Sequence, residues 1–302
     1  MEQKINYITP AVTPLLPDGE IDLASSRKLY LHLLEGGVDG ILILGSIGEF
    51  FGLRMEQKKA LIRCAGETIQ GRCKLLVGTT SMVYDEIVEL SNYGLEQGAD
   101  AVVIIPPYYF HFTDESVFEY YDMLAKEIHG NIYLYNFPER TGYDISPQAV
   151  KRLALAHANI IGVKDTLGGV DHTRELIKQV KAVRPDFEIY SGFDDNFAHN
   201  VLCGGNGCIG GLSNLYPELT SSWVRALRSA DFEKAAECQR TIDRLMDIYF
   251  VGKPFVPFIK AALTGKGIIQ YATATRPMPT ATREQLDQLN KIMESYESSQ
   301  KH

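Results

Sequence analysis

The 302-residue chain has no apolar run long enough to cross a bilayer, and its opening residues lack the basic start and apolar stretch of an export signal. A soluble, cytoplasmic protein is the expectation. Basic residues are also in short supply: 30 lysines and arginines face 38 aspartates and glutamates, a net charge of −8. No basic surplus exists to meet a phosphate backbone or an anionic membrane, so neither nucleic acid nor membrane is an expected partner. Cysteines are few. Cys64, Cys73, Cys203, Cys208 and Cys238 are odd in number, scattered and never spaced as C-x-x-C. That spacing excludes a disulfide framework and a zinc knuckle and leaves reduced, mostly buried thiols. What the chain does have is 45% hydrophobic and 23% charged residues, enough apolar matter for a large core.

Short β-type apolar runs recur at Tyr7–Val12, Gly40–Leu44, Lys74–Gly78, Ala101–Ile105, Ile132–Tyr135, Ile160–Lys164, Phe187–Ser191 and Gly207–Ile209. Helical spacing fills the gaps. Leu29, Leu33 and Leu34 share a face before Gly36-Gly37, and Ile87, Leu90 and Leu95 do so before Gly98. Strands alternating with helices pair in parallel through right-handed crossovers, and eight such units close a (β/α)₈ TIM barrel, an α/β fold. The competing open sheet of dinucleotide-binding proteins requires G-x-G-x-x-G after its first strand, where this chain reads Thr13-Pro14-Leu15-Leu16-Pro17. Only Gly205, Gly207 and Gly210 fit that pattern, far too late and within a strand. Further helices are expected at Pro217–Ser229, Phe232–Tyr249, Phe255–Leu263 and Arg283–Tyr296, with a polar tail at Ser298–His302. The division reads as a catalytic barrel over residues 1–228 and a helical extension over 229–302, packed on the barrel wall without a flexible linker.

Reacting groups of such a barrel come from the C-terminal ends of its strands. Lys164 ends the apolar run Ile160-Ile161-Gly162-Val163, where a solvated lysine would be poorly placed, so it is expected to point inward. The missing side chain of Gly162, on the same face, is expected to leave room for its stem. A desolvated lysine loses proton affinity, and its neutral amine attacks carbonyls, forming an imine that serves as electron sink for carbon–carbon cleavage or formation. No metal or organic cofactor is then required. Asp165 should face the other way, because a carboxylate beside the amine opposes that shift. Tyr135, ending the neighbouring strand, is the candidate proton carrier, with Ser46 relaying to a second tyrosine. Gly45-Ser46-Ile47-Gly48-Glu49 forms a strand-to-helix turn able to cradle a carboxylate. Arg140 offers a grip for a second carboxylate or for hydroxyls. Asp194 and Asp195 offer acceptors to sugar hydroxyls or, with Asn196, a helix cap. Taken singly, each residue has a plainer reading: a surface lysine paired with an acid, a core tyrosine, an ordinary βα loop, a solvated arginine.

Together, Gly45-Ser46-Ile47-Gly48-Glu49, Pro107-Tyr108-Tyr109, Tyr135-Asn136-Phe137-Pro138 and Gly162-Val163-Lys164-Asp165-Thr166 resemble, in order and spacing, the dihydrodipicolinate synthase/N-acetylneuraminate lyase family of pyruvate-dependent class I aldolases. The resemblance covers nearly the whole chain. It implies Lys164 as the Schiff-base lysine, Tyr135 as proton shuttle, Ser46 as its relay, and the Ile47 N–H and Ile209 carbonyl as pyruvate contacts. Tyr109 matches the tyrosine that family members insert into a neighbouring subunit's site, which implies a homotetramer built from dimers. Thr166, Gly192, Asp194 and Asp195 resemble the polyhydroxylated-substrate pocket of sialate lyases and 2-keto-3-deoxy sugar acid aldolases, and Tyr135-Asn136-Phe137-Pro138 with Lys164-Asp165-Thr166 is most similar to aldolases acting on 2-keto-3-deoxygluconate-like acids. Gly211 stands where sialate lyases usually place serine, and Arg140 matches the arginine with which synthases grip aspartate semialdehyde. Phe51, Met55, Lys58 and Met82 replace the small and polar residues of the family's lysine-feedback site, so feedback by lysine is not expected. The implied function is a lyase that cleaves a 2-keto-3-deoxy sugar acid into pyruvate and an aldehyde. Its alternatives are a 4-hydroxy-tetrahydrodipicolinate synthase, a sugar-acid dehydratase, and a keto-acid-binding regulatory barrel without turnover.

Overall fold

The strands of this chain are short because each needs only to span one barrel wall. In the computed structural model, which describes residues 3–299, they are β1 (Asn6–Pro10), β2 (Gly40–Ile43), β3 (Lys74–Gly78), β4 (Ala101–Ile104), β5 (Ile132–Asn136), β6 (Ile160–Asp165), β7 (Glu188–Ser191) and β8 (Gly207–Ile209). All pair in parallel in chain order, and β8 closes on β1. Ile41-Leu42-Ile43 and Val102-Val103-Ile104 are buried throughout, as parallel strands wrapped by helices must be. The closed TIM barrel is the expected one, with strand ends moved by one or two residues.

The wrapping helices are α1 (Leu23–Glu35), α2 (Met55–Ile69), α3 (Tyr84–Glu96), α4 (Asp114–Glu127), the single turn α5 (Pro138–Thr141), α6 (Pro147–Ala156), α7 (Asp171–Val180), α8 (Phe197–Leu202) and α9 (Pro217–Arg228). Helix α1 starts where Asp22 accepts the Ser25 N–H at 2.9 Å, buries Leu29 and Leu33, and stops at Gly36 before Gly37 at φ +80°. Three helices follow: α10 (Phe232–Leu245), α11 (Val256–Gly265) and α12 (Arg283–Ser299). The expected helix Phe232–Tyr249 ends early, at Leu245, and tightens into a 3₁₀ turn over Met246–Phe250. Of the expected polar tail, Ser298 and Ser299 belong to α12, and residues 300–302 lie outside the described residues. One hydrophobic cluster runs from Leu42 and Leu76 in the barrel to Ile242, Phe258, Leu263 and Leu289 in the last three helices. The five cysteines are free thiols, with Cys64, Cys208 and Cys238 buried. Among the described residues no helix is long and apolar enough to cross a membrane.

Hydrogen bonds across the barrel show which strand faces point inward. Lys74 of β3 donates to Glu188 of β7 at 2.9 Å and to the Tyr133 hydroxyl of β5 at 3.2 Å. Tyr133 and Tyr190 also donate to Glu188, and Asn6 of β1 donates to Tyr190 at 3.0 Å. Asn6, Lys74, Tyr133 and Glu188 come from non-adjacent strands, so they form one interior layer at the N-terminal end. Burial disfavours the charge on Glu188, but Lys74 and the tyrosine hydroxyls outweigh it and hold its carboxyl below the ordinary value. Gly162 belongs to this story and not, as expected, to that of Lys164. A Cβ there would sit 2.5 Å from both the Tyr133 ring and the Glu188 carbonyl, so the vacated space is filled by Tyr133.

Candidate active site

Two residues along from that layer, on the same strand faces, stand Tyr135 and Lys164. They are register partners on β5 and β6, so both side chains point into the barrel at its C-terminal mouth. Each is only 4% exposed, and the Lys164 Nζ lies 4.4 Å from the centre of the Tyr135 ring. No hydrogen bond or ion pair joins the Lys164 amine to any described residue. The Tyr135 hydroxyl meets the Ser46 Oγ at 3.3 Å, bringing the β2 loop to the same point. Phe137 stacks on Tyr135, and Phe193 packs edge-on against Phe137, forming an apolar wall.

Asp165 turns outward, as expected. Its carboxylate accepts from Asn136 at 2.8 Å and from Thr173 at 2.6 Å, and faces His172 Nδ1 at 3.0 Å.

The β2 loop is held in an unusual backbone path. Leu44 and Glu49 take φ +55° and +58°, a left-handed conformation that bulky residues rarely adopt. Gly78 accommodates it: a Cβ there would sit 2.1 Å from the Leu44 carbonyl oxygen. Thr13 Oγ1 donates to the Gly48 carbonyl at 2.7 Å. Glu49, fully buried, forms an ion pair with the equally buried Lys260 of α11 and accepts the Thr275 N–H at 2.6 Å. Burial lowers the proton affinity of Lys260, and the Glu49 charge opposes that fall. Lys260 was not singled out from the sequence, although it interrupts the apolar run Val256-Pro257-Phe258-Ile259 as Lys164 interrupts its own. The loop thus presents the Ile47 N–H, which has no partner among the described residues, on a rigid base.

The remaining candidates divide. Thr166 is buried with its Oγ1 unpartnered, and Gly192 leaves it that space, since a Cβ at 192 would lie 1.8 Å from this oxygen. Ile209 is fully buried and ends β8. Asp194 does not cap the following helix through its side chain. It is 2% exposed, and Tyr7, Tyr249 (2.8 Å), Leu212 N (3.0 Å) and Gly211 N (3.2 Å) donate to it, so it anchors the loop after β8. Asp195 is exposed, and neither it nor Asn196 caps the following helix through its side chain. Gly211 is required by its neighbours: a Cβ there would meet the Tyr249 hydroxyl at 2.6 Å and Ile47 Cδ1 at 2.7 Å. Arg140 stands exposed on α5, its guanidinium 5.4 Å from the Phe137 ring, without an ion-pair partner among the described residues. Tyr109 is not brought to the site. It is 81% exposed and packs edge-on against Phe110, 71% exposed. No group of three histidine, cysteine, aspartate or glutamate side chains is placed to hold a metal ion among the described residues.

The Dihydrodipicolinate synthetase family matches residues 3–296. This chain belongs to that family. It is 35% identical over 293 residues to the "Probable 2-dehydro-3-deoxy-D-pentonate aldolase YjhH" of Escherichia coli K12, covering 97% of each chain. It is 34% identical to a 4-hydroxy-tetrahydrodipicolinate synthase of Kosmotoga olearia, over 94% of this chain and 95% of that one. The crystal structure of YagE, a prophage protein of E. coli K12 solved in complex with pyruvate, superposes with a TM-score of 0.94 at 33% identity, covering 97% of this chain and 98% of YagE. YagE is named as a candidate 2-dehydro-3-deoxy-D-gluconate aldolase.

Proposed function

We propose that the protein is a Schiff-base aldolase that cleaves, or in reverse forms, a 2-keto-3-deoxy sugar acid, with pyruvate and an aldehyde as the other side of the reaction. The observation that carries the reading is Lys164, an amine buried at the barrel mouth, committed to no carboxylate and set beside the Tyr135 phenol. Membership of the family, and similarity to proteins named as aldolases of such acids, support it.

In this scheme the Lys164 amine adds to the C2 carbonyl, and Tyr135 supplies the proton with which the carbinolamine oxygen leaves as water. The protonated imine then draws in the electrons of the C3–C4 bond as the C4 hydroxyl gives up its proton, releasing the aldehyde and leaving an enamine. Protonation at C3 and hydrolysis return pyruvate and the free amine. Ser46 exchanges protons with Tyr135, and the free Ile47 N–H and the Ile209 carbonyl hold the pyruvyl end. The unpartnered Thr166 hydroxyl beside Gly192 takes a substrate hydroxyl, Asp195 offers another acceptor at the rim, and Arg140 meets the far end of the substrate. Asp194 supports the loop beneath them. Tyr109 completes the proton relay of a neighbouring copy in a tetramer built from dimers. Two residues before it in the chain, Pro107 lines, with Met82, Phe112 and Met123, an apolar groove of about 320 Å³ suited to a second copy.

Incubation with pyruvate and borohydride, followed by mass analysis, should place a reduced adduct on Lys164. No adduct indicates a binding module, and an adduct on another lysine overturns the assignment. Pyruvate released from 2-keto-3-deoxygluconate supports the substrate class. Consumption of pyruvate only with aspartate semialdehyde, or a keto product without pyruvate, overturns it.

A further inference from the structure

The outward faces of β5 and β6 carry a closed ring of polar contacts directly behind Tyr135 and Lys164. Asn136 follows the tyrosine and Asp165 follows the lysine, and their side chains are joined at 2.8 Å. The Asn136 Oδ1 accepts the Ile145 N–H at 2.9 Å. The Ile145 carbonyl lies 3.1 Å from His172 Nε2, and His172 Nδ1 lies 3.0 and 3.1 Å from the two oxygens of Asp165, which closes the ring. His172 belongs to the first turn of α7 and is largely buried.

Both nitrogens of this imidazole face oxygen acceptors. A neutral ring carries one N–H, so in that form one contact sets a lone pair against a lone pair; the imidazolium satisfies both. The charged groups facing it are Asp165 from β6 and, at 3.6 Å, Asp144 from the connection before α6. Burial, and the positive end of α7, work against the charge. The hydrogen bond and charge of Asp165, with help from Asp144 and the Ile145 carbonyl, outweigh burial and raise the proton affinity of His172 above its ordinary value.

We propose that His172 is a positioning residue that works as an imidazolium, tying the ends of β5 and β6 together so that Tyr135 and Lys164 keep their facing geometry. The proposal rests on the reading of those two residues given above. Through Ile145 the same ring steadies the segment that follows Arg140. Loss of the proton breaks one edge of the ring, and the two strand ends separate more freely.

The test uses the full-length protein labelled with ¹⁵N. A long-range ¹H–¹⁵N correlation spectrum at about pH 7.5, roughly one unit above the ordinary imidazole value, should show both His172 nitrogens protonated; a neutral ring overturns the proposal. The wild type should show an alkaline fall in kcat; His172→Gln, neutral at every pH, should lower kcat about tenfold while the KM for the keto acid moves less than about twofold, and should lose that fall. His172→Lys, which can donate to both acceptors, should recover most of kcat and move that fall to higher pH. Wild-type kcat in His172→Gln overturns the role of His172. The borohydride adduct of the wild type is scored separately: its absence defeats the reading of the site, whereas a full adduct with unaltered kcat in the variant defeats the clamp alone.

Discussion

The two ends of the barrel interior are built from similar residues and use them in opposite ways. At the N-terminal end Lys74, Glu188, Tyr133, Tyr190 and Asn6 bond to one another. At the C-terminal mouth the side chains of Lys164, Tyr135, Ser46 and Thr166 share one long hydrogen bond; among the described residues the Thr166 hydroxyl has no partner, and the Lys164 amine lies over the face of the Tyr135 ring without a hydrogen bond. A buried polar group left unpaired costs about 1–3 kcal/mol, so the closed cluster stabilises the fold and the open one destabilises it. Unused bonding capacity concentrated at one end of a barrel is what a reacting molecule would complete.

The sharpest way to break the comparison is to remove a lysine-centred interaction from each end. Lys164→Ala should lower turnover by at least about a thousandfold with an unchanged or slightly raised thermal midpoint, because under the proposed function it deletes the group that forms the imine and breaks no hydrogen bond or ion pair of its amine. Glu188→Ala should do the reverse. It strands Lys74 in a layer with no counter-charge and should cost about 2 kcal/mol, less than a fully buried pair because Lys74 is about a quarter exposed, while the pyruvate adduct on Lys164 still forms. Calorimetry and the adduct assay on both variants decide the matter, and equal losses of stability would end the distinction. Tyr135→Phe should fall between, slowing turnover about 10²- to 10³-fold with the fold intact.

The Glu49–Lys260 pair lies beside the mouth and resembles the lower cluster in being closed. Lys260→Met leaves a fully buried carboxylate without its partner and should destabilise the protein by about 3–5 kcal/mol, measured by urea unfolding. Pairing it with Glu49→Gln should recover part of that loss. If the loop positions the carboxylate cradle, the double variant keeps a raised KM for pyruvate after its stability has returned. Gly211→Ser is a smaller perturbation, about 1–3 kcal/mol, because the added Cβ meets Ile47 and Tyr249. Ile47→Thr should relieve part of it, so a double-mutant cycle should show coupling between two residues that sit on different strand loops.

The features legible in the sequence are those with a local signature. Parallel strands buried on both faces appear as apolar runs, so all eight were located within one or two residues. A lysine or tyrosine ending such a run lies at the mouth by construction, which makes the placement of Lys164 and Tyr135 legible, and Ser46 follows from the turn just past the second run. Contacts between distant elements leave no periodicity. The His172 ring joins β5, β6, α7 and a loop, and nothing in the spacing of Asn136, Ile145, Asp165 and His172 announces it. The neighbours of Gly162 and Asp194 are illegible for the same reason: the side chains that meet them, Tyr133 for one, Tyr7 and Tyr249 for the other, come from other parts of the chain. Lys260 had a local signal, a charge inside an apolar run, but on a helix that carries no strand end to the mouth.

The smallest effect expected is also the one that separates the inner and outer polar clusters by sign. The Glu188 carboxyl is held below its ordinary value, so its contribution to stability is complete above the unfolded carboxylate value of about 4.3 and fades as pH falls through the lower folded value. The His172 ring is held above its ordinary value, so its contribution is complete below about pH 6.5 and fades as pH rises through the higher folded value. Urea midpoints of the wild type against Glu188→Gln should therefore converge in acid, and those of the wild type against His172→Gln should converge in alkali. Convergence of both pairs on the same side of neutrality would mean that one of the two clusters carries the opposite charge from the one its geometry requires.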